Sequence, residues 1–151
     1  MVNPAATQAF GDGDWRSDAV IAYTILRLTF GINICIRGVM RIANGLDLFV
    51  ADLMQQFAGA PLPTFSVSAF AHVLPFVEAA VGLLIVLGLW TRPSLIVGGL
   101  TMSSLTFGTM LILNYQNAWL QLTYAGMFFL LLVLRQWNLI SLDAMRNGGR
   151  A

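Results

Sequence analysis

The chain has 151 residues, of which 58% are hydrophobic and 10% charged, with a formal net charge of +1. A typical globular chain carries roughly 25% charged residues, so polar surface is too scarce here for a soluble fold of this size. The near-neutral balance points to neither a nucleic-acid partner nor an acidic substrate.

Residues 1–18 read as an N-terminal tail. Asp12, Asp14 and Asp18 stand there against Arg16, whereas a cleaved signal peptide wants a basic start without acids. From Ala19 to Ile42 the run AVIAYTILRLTFGINICIRGVMRI is long enough to cross a bilayer, yet it contains Arg27, Arg37 and Arg41. At about 100° per residue, Arg27, Gly31, Ile34, Gly38 and Arg41 fall near one line. Such a stripe faces protein, because glycines admit a neighbouring backbone and the arginines then avoid acyl chains. Arg41 is placed to reach the interface. Cys35, the single cysteine, lies in this run, which excludes a disulfide within the chain and argues against a thiolate metal site.

The connection from Asn44 to Ser68 contains LDLFVADLMQQF, a short amphipathic helix with Asp47 and Asp52 on the wet side and Leu46, Phe49, Val50, Leu53 and Phe57 on the other. Gly59-Ala60-Pro61-Leu62-Pro63 breaks it. A second span covers about Val67 to Trp90, with Pro75 one turn before Glu78, where a kink would free backbone carbonyls. The chain turns at Thr91-Arg92-Pro93, and a third span from about Ser94 to Leu113 carries the small-residue pairs Gly99/Ser103 and Ser104/Gly108. Asn114-Tyr115-Gln116-Asn117 is an uncharged polar turn, and the fourth span runs from about Ala118 to Leu134. Arg135-Gln136-Trp137 then marks an interface. The expected fold is an all-α membrane protein, a four-transmembrane-helix bundle over residues 19–137 with a short amphipathic helix between helices 1 and 2, and a C-terminal tail over 138–151.

Four spans put both termini on one side. Arg16, Arg92, Arg135, Arg146 and Arg150 lie there, which favours cytoplasmic termini in a bacterial inner membrane. Two constellations could carry chemistry. An ionisable group deep in a span costs several kcal/mol unless paired or facing a polar cavity, so Glu78 is a functional candidate. Counting from the run ends at 1.5 Å per residue puts Arg27 at about 13 Å and Glu78 at about 20 Å depth. The expectation is an intramembrane ion pair, Arg27–Glu78, whose bland alternative is a registry lock. Near the other face Arg37, His72, Asn114, Tyr115, Gln121 and Tyr124, with Gln116 and Trp119, come from span ends. They could hydrogen-bond the carbonyls of a quinone head group among apolar side chains. A lone interfacial His such as His72 is more often a solvated residue than a ligand contact. No metal-ligand cluster, haem-attachment motif or nucleotide loop is present in the sequence.

Arg27 followed by Gly31, then Arg37-Gly38 and Arg41, resembles the first-helix pattern of the DoxX family. Glu78-x3-Gly82 with LLIVLGLWTRP is similar to that family's second-helix pattern. The residue before the first-helix glycine is usually His and is Arg37 here. The resemblance spans about Ala19 to Arg135. It implies a four-helix inner-membrane protein, often an accessory or quinone-reactive subunit beside a redox partner, and a kinship with the membrane subunit of thiosulfate:quinone oxidoreductase. The leading functional expectation is a membrane subunit of an electron-transfer complex. It would touch the lipid bilayer, anchor other protein subunits and form part of a quinone site, without a covalently bound cofactor and without being a complete enzyme alone. The alternatives are a ligand-free membrane scaffold or assembly factor, and a small-solute or proton pathway centred on Arg27–Glu78.

Overall fold

A computed structural model describes residues 17–146. Most of the N-terminal tail and the last residues of the C-terminal one lie outside the described residues. Six α-helices follow in order: α1 Asp18–Ala43, α2 Leu46–Gln56, α3 Thr64–Leu87, α4 Thr91–Leu111, α5 Tyr115–Val133 and α6 Leu142–Arg146, with a 3-10 turn Leu134–Trp137 before α6. Helices α1, α3, α4 and α5 with its continuation are long and apolar enough to cross a membrane, so the expected four-span bundle is the fold.

Each boundary has a local cause. Ser17 caps α1 by accepting from the Val20 N–H. Gly45, at φ 109°, turns the chain into α2, a conformation open to glycine and strained for other residues. Residues 57–63 break the helix at Gly59, Pro61 and Pro63, and α3 then runs on through Pro75 to a left-handed Gly88 at φ 62°. Asn114 caps α5 by accepting from the Asn117 N–H. Along α4 the hydroxyls of Thr101, Ser103, Ser104 and Thr106 donate to carbonyls one turn back, which satisfies them without any partner helix.

Helices α1 and α3 pack antiparallel with their backbones in contact. A Cβ on Gly82 would enter the Cys35 backbone, one on Gly38 would meet Ala79 and lie 2.6 Å from the Pro75 carbonyl, and one on Gly31 would lie 3.0 Å from the Val86 nitrogen. The expected glycine stripe is therefore the packing face, with Arg27, Gly31, Ile34 and Gly38 all buried. Helices α4 and α5 form a second pair. Its contact uses Gly98, whose missing side chain is replaced by the Phe128 ring, rather than the Gly99/Ser103 pair singled out in the sequence. The two pairs meet at Tyr23, Phe30, Ile34, Val81, Ile85, Leu95, Met102, Phe128 and Leu131, with Phe30 and Phe128 edge to face at 4.8 Å.

The C-terminal segment does not trail away. Asn138, Ser141 and Ala144 are buried. Asn138 Nδ2 donates to Thr91 Oγ1 at 3.1 Å, the Asp143 N–H donates to the Gly88 carbonyl at 2.9 Å, and the Asp143 carboxylate accepts from the N–H groups of Trp90 and Thr91 at 2.9 and 2.8 Å. A side chain from α6 thus caps the first turn of α4, whose own residue Trp90 provides no side-chain cap.

Candidate functional site: one carboxylate between two arginines

The register of α1 on α3 decides what Glu78 meets. With Cys35 against Gly82 and Gly38 against Ala79, Val39 lies level with Glu78, and the next polar side chains toward α3 are those two residues to either side. Arg37 Nη2 donates to Glu78 Oε1 at 2.7 Å, and Arg41 Nη1 donates to Glu78 Oε2. Glu78 is 2% exposed, while the two arginine side chains are about one quarter exposed. Two like charges one helical turn apart repel, and the carboxylate set between them relieves that while gaining two charge-assisted bonds.

The expected Arg27–Glu78 pair is not formed. Arg27 lies a little over three turns from Glu78's level, beside the end of α3, where Nη1 donates to the carbonyls of Ile85 and Val86 at 2.5 and 2.8 Å and Nη2 to Ile140 O at 2.9 Å. Depth counting placed the two together because it set the start of α1 level with the end of α3. In the fold α1 extends beyond α3 by more than two turns at that end, so Arg27 meets the carbonyls of the last turn of α3, where Ile85 O also accepts from the Gly88 N–H. Its role is to satisfy backbone, not to neutralise a carboxylate.

The Arg37–Glu78–Arg41 cluster forms one wall of a cavity of ≈ 370 Å³. Helix α2 covers it with Phe49 and Leu53, and Phe57 follows; Phe70 and Leu74 come from α3, Leu105 and Thr109 from α4, and Asn117, Gln121 and Tyr124 from α5. Arg41 stacks over Phe49 at 4.6 Å and Arg37 over Tyr124 at 4.7 Å, so each guanidinium also uses an aromatic face. The Tyr124 hydroxyl donates to Asn33 Oδ1 at 2.9 Å, which leaves its ring rather than its hydroxyl for the cavity. The Thr109 hydroxyl donates to Gln121 Oε1 at 2.8 Å.

Of the six ligand candidates read from the sequence, the fold brings Arg37, Gln121 and Tyr124 to this cavity. It does not bring the other three. His72 is exposed on α3, with Nδ1 2.8 Å from the Ser68 carbonyl, because it lies on the face of α3 that turns away from α1 and α4. Asn114 is spent as the α5 cap, and Tyr115 is 62% exposed. Gln116 and Trp119 are exposed as well. Arg41 and Asn117 escaped the sequence reading as residues of this site. The signal for Arg41 was present: it repeats Arg37 at four-residue spacing with Gly38 between, which presents both guanidiniums to a helix packed on that glycine.

The arrangement offers fixed N–H donors at one end of a pocket whose other walls are mainly aromatic and aliphatic, with a few uncharged polar side chains such as Gln121 among them. Arg37 Nε is buried and has no hydrogen-bond partner, so that donor is left unsatisfied beside the bond to Glu78. Among the described residues no group of three His, Cys, Asp or Glu side chains could hold a metal ion. Compared with known proteins, residues 22–112, well over half of the chain, match the model of the DoxX family. No curated protein and no solved structure matches.

Proposed function

The chain belongs to the DoxX family, and on that premise we propose that it is the membrane subunit of an electron-transfer assembly, with a quinone head group accommodated under α2. The observation that carries the reading is the Arg37–Glu78–Arg41 cluster forming the charged wall of a mainly apolar cavity, with Gln56, Asn117 and Gln121 among its few other polar side chains, of a size typical for small-molecule sites. Arg37 and Arg41 would hold a head-group carbonyl, Gln121 would approach the ring's far side, and Phe49, Leu53 and Phe70 would exclude water from it. A bound quinone supplies the electron-accepting chemistry. The chain contributes position, charge and a dry wall, which accords with a subunit that works beside a redox partner.

The bilayer, the partner and the orientation form one picture. Cytoplasmic termini in a bacterial inner membrane would put the cavity mouth and α2 toward the periplasmic side. The test is a titration of the full-length protein, in nanodiscs of neutral lipid, with a short-tailed quinone. Saturable binding is expected, weakened by roughly tenfold or more in Arg37→Gln with helicity unchanged. Absence of quinone binding, together with no redox protein retained on mild purification, would leave the ligand-free scaffold as the better reading. With Arg27 bonded to carbonyls, the pair on which a proton pathway would rest is not there.

A further inference from the structure

The cavity wall is not electrically balanced. Two guanidiniums share one carboxylate, and none of the remaining cavity residues is acidic or basic. Each arginine has five N–H donors in a planar fork. Arg37 and Arg41 each give Glu78 a single bond, from one Nη. Arg37 Nε is buried with no partner at all. The rings of Phe49 and Tyr124 cover one face of each guanidinium, and an aromatic face offsets part of a charge without neutralising it. A surplus positive charge in a poorly solvated wall is a standing cost that an anionic oxygen at the wall would remove, whereas a neutral carbonyl would only accept a hydrogen bond.

We propose that this cavity selects an aromatic amphiphile carrying one ionised oxygen, an acidic quinone in its deprotonated form, over a neutral quinone of the same size. The ionised oxygen sits between Arg37 and Arg41 on the side away from Glu78, and the ring lies against Phe49 and Leu53. The cluster then carries two positive and two negative groups. This rests on the quinone reading above and sharpens it to a charge state of the ligand. It also explains why two arginines stand where one would be enough to hold Glu78.

The test compares two probes of nearly equal shape, 2-hydroxy-1,4-naphthoquinone, whose enolic hydroxyl is ionised at neutral pH, and 2-methyl-1,4-naphthoquinone, which has no acidic group. Binding is measured by calorimetry on the full chain in neutral-lipid nanodiscs. The ionised probe is expected to bind about tenfold or more tightly. In Arg41→Gln, which leaves one arginine for one carboxylate, both probes should bind more weakly, the ionised one by the larger factor, so that the preference falls to about twofold or less. Equal binding of both probes overturns the inference and leaves the quinone reading standing. A preference that survives in Arg41→Gln also overturns it. Binding of neither probe overturns both. Repeating the titration with anionic phosphatidylglycerol in the nanodisc should leave the preference intact; its loss there would assign the arginines to a lipid head group and overturn the inference.

Discussion

Glu78 and its two arginines are unequal partners, and their substitutions should show it. Glu78→Gln removes the one counter-charge that Arg37 and Arg41, one turn apart on α1, have among the described residues. Breaking such a buried pair costs about 3–5 kcal/mol, and because both arginine side chains reach water in part, the lower end applies. Arg41→Gln leaves a one-to-one pair with Arg37, and because the Arg41 side chain is about one quarter exposed a smaller loss, about 1 kcal/mol, is expected. Thermal unfolding of both variants in one detergent checks the order, and an Arg41→Gln as damaging as Glu78→Gln would contradict it. Arg27→Met frees the carbonyls of Val86 and Ile140 and leaves Ile85 O with the Gly88 N–H alone, and should cost about 1–3 kcal/mol by the same assay. The importance of Glu78 was legible in the sequence, since one carboxylate in an apolar span needs a reason. Its partners were not. Depth counted from hydropathy places a residue only as well as the ends of two runs coincide, and α1 overruns α3 by more than two turns.

At the level of elements, glycines set how near two helices come, and their replacement should have opposite signs in different places. A Cβ at Gly82 or Gly38 would strike the backbone of the facing helix, so Gly82→Ala and Gly38→Ala must separate α1 from α3 and disturb both bonds to Glu78. Overpacking of this kind costs typically about 1–3 kcal/mol. At Gly126 a Cβ meets nothing within 4 Å, and Gly126→Ala in the interior of α5 should gain about 0.5–1 kcal/mol. Unfolding curves that rank these variants differently would refute the packing described. Helix α4 depends on a cap supplied from far along the chain, and Asp143→Ala should cost about 0.5–2 kcal/mol by freeing the Trp90 and Thr91 N–H groups. Helix positions were legible to within a few residues, because spans, breaks and caps are local. The packing of residues 138–146 was not, since a short polar stretch after a span looks the same whether it trails in water or closes on a helix end.

For the whole molecule, the cavity end and the capped end lie on opposite membrane faces. Single cysteines introduced at Asp52 and Asn117 into a Cys35→Ser background should react with an impermeant reagent from one side, and cysteines at Arg92 and Arg146 from the other. Mixed labelling would dismantle the four-span arrangement. The family assignment and the bundle were readable from composition and two short motifs. The lid was readable as an amphipathic helix lying on the bilayer or capping the bundle, and its place over the Arg37–Glu78–Arg41 cluster was not, because that depends on how α1 and α3 meet.

Interlocked glycines and a carboxylate gripped from two levels have a mechanical corollary. Sliding α1 along α3 by even one turn would break every one of those contacts together, so these two helices behave as a single board. The freedom left to the bundle is at the seam against α4 and α5. There Tyr124 spans the gap with its ring on Arg37 and its hydroxyl on Asn33, and Tyr23 spans it from α1 with its hydroxyl on the Leu131 carbonyl, like two clasps on a book.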